Sequence, residues 1–425
     1  MRILVGTMIA VTLVAVSSFA ADQTSLSVGR VQAVSSVPVE LVTRMRPELK
    51  LIDATQWRSE ALPSTTPLPD SLSELPDVVS ALVGFYDNDI PYLCQKGFIE
   101  PLDSVFAELG LDPKAVIPPN LYEAVAWKEH VWALPYRVDS YVLRYRKDEM
   151  QKVGAATSFA NWNEVFAAAE KISLGADPDR QVSGFFFTGM ADEQIGSCLM
   201  AIGMDAPPGA AGSLLGLLAQ YHARGVFWPP DFTWAMLEQE SGIRCVLFRS
   251  VTVGANVGIV ACPDAVVAGS APTLRPVGFA ECYALRKNTP EKLQAAREFI
   301  KLLLSKEAQL ALLEATQIDK APSSALAFRH VPVFKHVTDS TEFKEVLARI
   351  PTYGTLLDIV KRARFTPVNP EAFEALRTAI LKRFSEVMPE VEEPGEAMVP
   401  SLMKVLEPIQ VQPNAPAAAP DVSRY

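Results

Sequence analysis

The sequence has few histidines and cysteines, and it lacks the short motifs that identify most enzymes. Its 425 residues include four histidines and five cysteines. No CxxC, HExxH or other close metal-ligand spacing occurs. A GxSxG elbow, a P-loop and a GxGxxG turn are also absent. The 49 acidic side chains offer many carboxylate pairs, but nothing singles one out as a glycosidase pair. The sequence therefore predicts no enzyme, no cofactor and no metal site.

An excess of basic residues is lacking as well. The formal net charge is -10, which argues against nucleic acid and anionic membrane surfaces as partners. With 49% hydrophobic and 21% charged residues, the chain can bury sizeable cores. Its length exceeds what one simple core usually organises, so we expect two lobes or domains.

Long apolar runs are confined to the N-terminus. Arg2 precedes an apolar run from Ile3 to Val16, and small residues follow from Ser17 to Ala21. This order is typical of a secretory signal peptide at residues 1–21. The alternative is a retained membrane anchor, but the run is short for a span and its exit resembles a cleavage site. No cysteine follows the run, which argues against a lipoprotein. A periplasmic protein fits best.

The five cysteines are scattered along the chain. They are Cys94, Cys198, Cys245, Cys262 and Cys282. Export permits a disulfide, with Cys245 joined to either Cys262 or Cys282. An odd number leaves at least one cysteine unpaired, and the alternative is that most are small buried hydrophobic residues.

Strand and helix patterns alternate along the chain. Pro76–Gly84 is a β-branched apolar run without polar alternation, which predicts a buried strand of a mainly parallel sheet. Asn161 and Glu164 form a capping-box pattern before an apolar helix face. Pro290 opens an amphipathic helix that reaches Leu304. These patterns predict an α/β protein. A further helix is expected at 370–388, and the Pro/Ala-rich end at 413–425 is predicted to be a disordered tail.

Five ordered segments resemble a known family. They are Pro76–Val79 with Gly97–Asp103, Ala133–Tyr136 with Tyr141–Asp148, Asn161–Glu164, Ala284–Lys287 with Ala295–Gln309, and Ala372–Leu376. Each is short, but together and in this order they resemble the extracellular solute-binding proteins of ABC importers. The similarity is to the sugar-binding, maltodextrin-binding-protein-like branch.

The resemblance implies a two-lobed periplasmic-binding-protein fold of type II, with mainly parallel sheets flanked by helices. Hinge crossovers are expected near 136–141, 276–279 and 318–322. The first lobe would comprise residues 22–136 plus 278–317. The second would comprise residues 137–277 plus 318–412. The family's permease subunits would be the membrane partner, and the chain is expected to be a monomer.

Sugar recognition requires aromatic faces for the ring and polar groups for its hydroxyls. Residues of these types occur beside predicted strand ends and crossovers, where ligand loops are expected. The candidate ligand-binding residues are Trp57, Tyr86, Asp87, Tyr136, Arg137, Asp139, Trp228, Phe279 and Glu281.

Several candidates have a structural alternative. Trp57 can instead pack in a core, and Trp228 can pack on its own lobe. Arg137 and Asp139 either clamp vicinal hydroxyls or belong to an ion pair between the lobes.

The sequence thus predicts a periplasmic binding component that delivers a small solute, in the first place a mono- or oligosaccharide, to an importer. Three alternatives stay open. The solute can be a polyamine or an organic acid. The chain can be a sensing or interaction protein that kept the fold without transport. A secreted hydrolase is the third.

Overall fold

A computed structural model describes residues 25–29, 37–53, 69–84, 87–174, 184–187, 242–247, 256–270, 274–316 and 330–365, with isolated positions between 213 and 226. The predicted signal peptide, the helix at 370–388, the tail at 413–425 and the crossover at 318–322 lie outside these residues.

The described residues form strands of very different length. They are β1 Ser25–Val28, β2 Lys50–Asp53, β3 Val78–Gly84, β4 Asp87–Asn88, β5 Ile99–Glu100, β6 Ala126–Trp127, β7 His130–Val131, β8 Ala133–Arg146, β9 Phe185–Phe187, β10 Ile243–Leu247, β11 Val257–Ala261 and β12 Gly278–Arg286. The longest is β8, with 14 residues.

Helices lie between the strands and after β12. They are α1 Val37–Met45, α2 Asp89–Gln95, α3 Asp103–Glu108, α4 Pro113–Val116, α5 Pro119–Val125, α6 Lys147–Lys152, α7 Trp162–Leu174, α8 Pro290–Leu304, α9 Lys306–Ala315, α10 Lys335–Thr338, α11 Thr341–Arg349 and α12 Thr352–Arg362. Among the described residues, no helix is both long and apolar enough to cross a membrane.

Local sequence signals explain several of these boundaries. The side chain of Asn161 accepts a hydrogen bond from the Glu164 backbone N–H at 3.0 Å, so the predicted cap of α7 is confirmed. Pro290 occupies the first turn of α8, and Ser305 caps α9 through the Ala308 N–H. The predicted helices α7 and α8 are therefore present.

Ten of the described strands form one sheet, and its central order is β2-β1-β3-β12-β8-β10-β9. Parallel pairs occur towards its two ends, between β1 and β2, β1 and β3, and β9 and β10. The strands β8 and β12 run antiparallel to each other and to their other neighbours. The sheet is mixed, whereas mainly parallel sheets were expected. The reason is that β12 runs antiparallel to β3 and β8, and β8 runs antiparallel to β10 and β11.

Apolar side chains gather in separate clusters along the sheet. The first cluster lies under α1–α5, α8 and α9, and β8 contributes Ala133, Leu134, Tyr136 and Val138 to it. The second lies between the sheet and α7, and it receives Tyr141, Leu143 and Tyr145 of β8. A third cluster, under α11 and α12, includes Val142. The strand β8 thus passes from one cluster to the others within a few residues.

Candidate functional site

Five of the nine predicted ligand residues lie together where β8 pairs with β12. In the antiparallel register Phe279 is opposite Asp139, and Glu281 is opposite Arg137. Tyr136 precedes Arg137 on β8. We refer to Tyr136, Arg137, Asp139, Phe279 and Glu281 as the crossing cluster, because β8 changes apolar clusters at this point.

The Glu281 carboxylate is the centre of the crossing cluster. Its Oε2 accepts a hydrogen bond from the Tyr136 hydroxyl, and its Oε1 lies 3.0 Å from Nη2 of Arg137. The Glu281 side chain is fully buried and that of Arg137 is 2% exposed. Burying two charges costs free energy unless they pair with each other and make further hydrogen bonds. The ion pair joins β8 to β12.

A β-bulge lets two consecutive residues reach one carboxylate. Neighbouring side chains normally point to opposite faces of a strand. The β8–β12 register shifts between Glu281 and Cys282, so that Arg137 faces Glu281 while Pro135 faces Cys282. Tyr136 is the additional residue on β8. Pro135 has no N–H to donate to a ladder, and proline inside a strand often marks a bulge. Pro135 is thus a sequence signal for this bulge, although no bulge was predicted there.

Tyr136 connects the crossing cluster to the first apolar cluster. Its ring stacks on that of Tyr283, with centroids 3.8 Å apart and an angle of 12° between the planes. Its hydroxyl lies 3.2 Å from Ser80 Oγ. Burial raises the pKa of the Tyr136 hydroxyl, and the Glu281 charge raises it further. The hydroxyl therefore keeps its proton and acts as a donor.

His330 contacts Tyr136 of the crossing cluster, and no sequence pattern predicts a role for it. Its Nδ1 is 3.0 Å from the Tyr136 carbonyl oxygen, and its Nε2 is 2.8 Å from Gln309 Oε1. A neutral imidazole carries one N–H and so donates to one of these oxygens at a time. Burial lowers the pKa of His330 to about 4, although the Tyr136 carbonyl opposes this shift.

Arg137 and Asp139 are both buried beside the Arg137–Glu281 ion pair. The Arg137 guanidinium lies 5.4 Å from the centre of the Phe279 ring, and its ion-pair partner across the strands is Glu281. Asp139 is 2% exposed, and its Oδ1 accepts a hydrogen bond from the Ser140 N–H at 2.9 Å. Both side chains are therefore buried at the crossing.

Two glycines allow the backbones to approach at the crossing. Gly84 ends β3 with φ of 102°, a backbone conformation that residues other than glycine rarely adopt. A Cβ at Gly84 would lie 2.2 Å from the Gly278 carbonyl oxygen, and one at Gly278 would lie 2.6 Å from the Phe365 ring. Neither position has space for a side chain.

The residues that follow α12 contact the start of β12. The Gly278 N–H donates to the Arg364 carbonyl at 2.8 Å, and the Arg364 N–H donates to the Pro276 carbonyl at 2.9 Å. The amide of Asn120 on α5 donates to the carbonyls of Val360 and Ala363, at the end of α12. These contacts connect α12 to β12 and α5.

The other predicted ligand residues are not all described. Trp57, Tyr86 and Trp228 lie outside the described residues, as does the side chain of Asp87. The Asp87 backbone belongs to β4 and pairs with Gly84. Within the described part of the chain, no group of three or more His, Cys, Asp and Glu side chains is placed to hold a metal ion.

A family model for bacterial extracellular solute-binding proteins matches residues 72–328, which is more than half of the chain. The chain belongs to this family. A comparison with curated protein sequences gives no match. The family match includes β3, β8 and the whole of β12, and hence the crossing cluster.

Solved structures of several binding proteins share the fold. Maltose-bound MalE3 of T. maritima is 18% identical, with a TM-score of 0.56 over 90% of this chain and 98% of that one. UgpB of Mycobacterium tuberculosis, in complex with glycerophosphocholine, is 16% identical, with a TM-score of 0.59 over 90% and 98%. An ABC-transporter solute-binding protein of Thermotoga lettingae, bound with α-D-tagatose, is 16% identical, with a TM-score of 0.60 over 90% and 99%. At these identities the likeness shows the fold, which is two-lobed.

Proposed function

We propose that this chain is the exported substrate-binding component of an ABC importer and that its solute is a mono- or oligosaccharide. The family match over residues 72–328 is the observation that carries the proposal. A binding protein of this kind needs two lobes joined by strands that pass between them. The strands β8 and β12 have this character, since each contributes residues to more than one apolar cluster.

The lobe boundaries belong to the proposal. The first lobe would be residues 22–136 with 278–317, and the second 137–277 with 318–412. Two observations support boundaries close to these. The side chains of β8 change cluster between Val138 and Tyr141, and those of β12 change between Phe279 and Ala280.

Closure would follow from differential binding. A solute that contacts both lobes binds the closed form more tightly than the open form, so it shifts the hinge equilibrium towards closure. The crossing cluster would hold β8 and β12 in register while the lobes move. Trp57, Tyr86, Asp87 and Trp228 remain the proposed contacts to the ligand, and closure would present one surface to the permease.

The sugar is favoured by the structural neighbours. Maltose and α-D-tagatose are bound in two of those reported above, and another is described as a chitin oligosaccharide binding protein. The complex of UgpB with glycerophosphocholine makes a polar phosphodiester the second candidate. Export is supported by the signal-peptide pattern at residues 1–21 and by the extracellular family.

A thermal-shift screen of the mature chain, residues 22–425, tests the ligand class. The panel would contain maltose, maltotriose, chitobiose, tagatose, glycerophosphocholine, spermidine and citrate. A ligand at one hundred times its Kd should raise the melting temperature by about 3 °C. We expect the melting temperature to rise with the concentration of a sugar. A rise with another class and none with any sugar would overturn the sugar assignment.

Product analysis and uptake measurements separate the remaining alternatives. A hydrolase would release shortened sugars from the stabilising ligand, whereas a binding protein returns it unchanged. Deleting the gene in its host should abolish uptake of that ligand, and restoring the gene should recover it. Intact uptake in the deletion strain would favour a sensing protein over a transport component.

A further inference from the structure

Two cysteine side chains lie against each other in the second apolar cluster. Cys245 is in the middle of β10, and Cys262 directly follows β11. Their Sγ atoms are 4.0 Å apart. Cys245 is 0% exposed and Cys262 is 2% exposed. The sulfurs are in van der Waals contact inside an apolar core, where no solvent separates them.

The sheet brings these cysteines together. Both β10 and β11 pair with β8 in antiparallel fashion, so that Cys245 is opposite Leu143 and Ala261 is opposite Val142. The Cys262 sulfur also lies 3.7 Å from the Tyr141 carbonyl oxygen. The two thiols therefore meet at the β8 strand, although 17 positions separate them in sequence.

The other described cysteines are placed elsewhere. Cys282 on β12 is part of the first apolar cluster, and Cys94 on α2 packs at the edge of that cluster. Cys198 lies outside the described residues. Of the two partners that the sequence left open for Cys245, the structure favours Cys262 over Cys282.

We propose that Cys245 and Cys262 form an intramolecular disulfide in the exported protein. The S–S bond is about 2.05 Å long, so the sulfurs must approach by about 2 Å from their present contact. β10 and β11 lie on opposite edges of β8, so the movement requires rotation of both side chains together with a backbone displacement at Cys262, which lies past the last paired residue of β11. The inference rests on export, which is part of the proposed function, but it does not depend on which solute binds.

The oxidation is a thiol–disulfide exchange with an external disulfide, either that of an oxidising dithiol protein or that of oxidised glutathione. One cysteine thiolate attacks the external disulfide and releases one thiol, which gives a mixed disulfide. The second cysteine then attacks the mixed disulfide and releases the other thiol. The chain loses two protons and two electrons, and the external disulfide is reduced to two thiols.

The burial of the sulfurs sets the order of events. Thiol exchange requires an accessible thiolate, and both thiols are enclosed once the sheet has formed. The bond therefore forms on the newly exported chain before folding is complete. Once made, it joins β10 to the end of β11 across the β8 strand.

Peptide mapping tests the pairing directly on the wild-type chain. The protein would be exported to the periplasm of a bacterial host, alkylated under denaturing conditions without reduction, digested and analysed by mass spectrometry. We expect one linked peptide that contains Cys245 and Cys262, and this peptide should disappear after reduction. Alkylation of both cysteines in the unreduced sample, or a bond from either to another cysteine, would overturn the proposal.

Two comparisons sharpen this test. Protein made in the reducing cytoplasm should keep both thiols when the folded chain is incubated with oxidised glutathione, because neither sulfur is accessible. Reduction and refolding of the exported protein should lower its melting temperature by about 3 °C. The same treatment should leave the Cys245→Ala variant unchanged, while the Cys94→Ala control should respond like the wild type. An equal response of wild type and Cys245→Ala would contradict the proposal.

The outcome is separable from that of the ligand screen. A missing linked peptide in an exported chain that still binds a sugar would refute the disulfide alone. A linked peptide in a chain that binds no member of the panel would refute the ligand assignment alone. Failure of the chain to leave the cytoplasm would refute the export on which both rest.

Discussion

Two buried carboxylates, Asp77 and Glu281, join strands of the described sheet to neighbouring elements, and their hydrogen-bond partners differ. Asp77, at the start of β3, is 2% exposed and receives hydrogen bonds from many sides. Its donors are the Ser27 N–H at 2.9 Å, the Ser27 hydroxyl at 2.8 Å, the Asn288 amide at 2.6 Å, the Lys292 ammonium at 3.1 Å and the Arg286 guanidinium. They belong to β1, to the end of β12, to the turn that follows it and to α8.

Glu281, in the middle of β12, is buried to the same degree but is held from β8. Tyr136 and Arg137, consecutive residues at the bulge, provide its hydroxyl and guanidinium partners. Asp77 thus joins elements that pack in one apolar cluster, whereas Glu281 joins two strands at the point where the clusters change. The first contact stabilises elements of one apolar cluster, and the second stabilises the strands that pass between clusters.

Removing the charge opposite Glu281 should have the largest effect. Arg137→Met takes away a counter-charge that is itself buried, so the free energy of unfolding should fall by about 3–5 kcal/mol. Urea denaturation at pH 7 measures this change. The double variant Arg137→Met/Glu281→Leu removes both charges and should recover most of the loss. A single variant as stable as the wild type would show that the ion pair does not support the crossing.

Acid should weaken the crossing through His330. The folded pKa of about 4 lies below the ordinary value of 6.5, so the unfolded chain binds the proton more readily between these values. Stability should therefore fall as the pH drops from 6.5 to 4, by about 3 kcal/mol in total. Urea midpoints across this range measure the slope. The His330→Gln variant should have a flatter profile, and an unchanged slope in the variant would contradict this prediction.

Removing the charge of Asp77 should have a smaller effect. Burial opposes its ionisation, but hydrogen bonds from Ser27, Lys292 and Asn288 outweigh burial and lower its pKa from 3.8 to about 2. Its contribution is present above pH 3.8 and is lost as the pH falls through 2. Asp77→Asn should cost about 2 kcal/mol at pH 7. Urea unfolding at pH 7 and pH 3 measures it. An equal cost at both pH values would point to lost packing.

An exposed ion pair should have the smallest effect. Lys306 and Glu342 lie 2.6 Å apart on the surface of α9 and α11, and their side chains are 35% and 51% exposed. Solvent screens such pairs, and ordering two long side chains opposes the attraction. Lys306→Ala should leave the urea midpoint unchanged within error. A loss comparable to that of Asp77→Asn would mean that burial is not what distinguishes these carboxylates.

Local patterns in the sequence predicted much of the secondary structure. The apolar run of β3, the cap of α7 and the proline at the start of α8 each act over a few residues, so these elements were predicted at nearly their observed positions. Strand direction was not predicted correctly. The antiparallel pairing of β8 and β12 depends on how the chain returns after more than a hundred residues, and local patterns do not contain this information.

Local patterns also singled out residues of the crossing cluster, but they did not predict the contacts of these residues. The types and approximate positions of Tyr136, Arg137 and Glu281 singled them out, and the structure brings them together. Their complete burial, the bulge at Pro135 and the contact with His330 depend on long-range packing. The donors to Asp77 come from positions 27 and 286–292, and no local signal connects them.

The closing of two lobes on a sugar is the central claim, and small-angle X-ray scattering tests it most directly. The radius of gyration of the mature chain would be measured alone and with each sugar of the panel at saturating concentration. The account predicts a smaller radius with the sugar that raises the melting temperature, and no change with the others. A sugar that stabilises the chain while its radius stays constant would contradict closure.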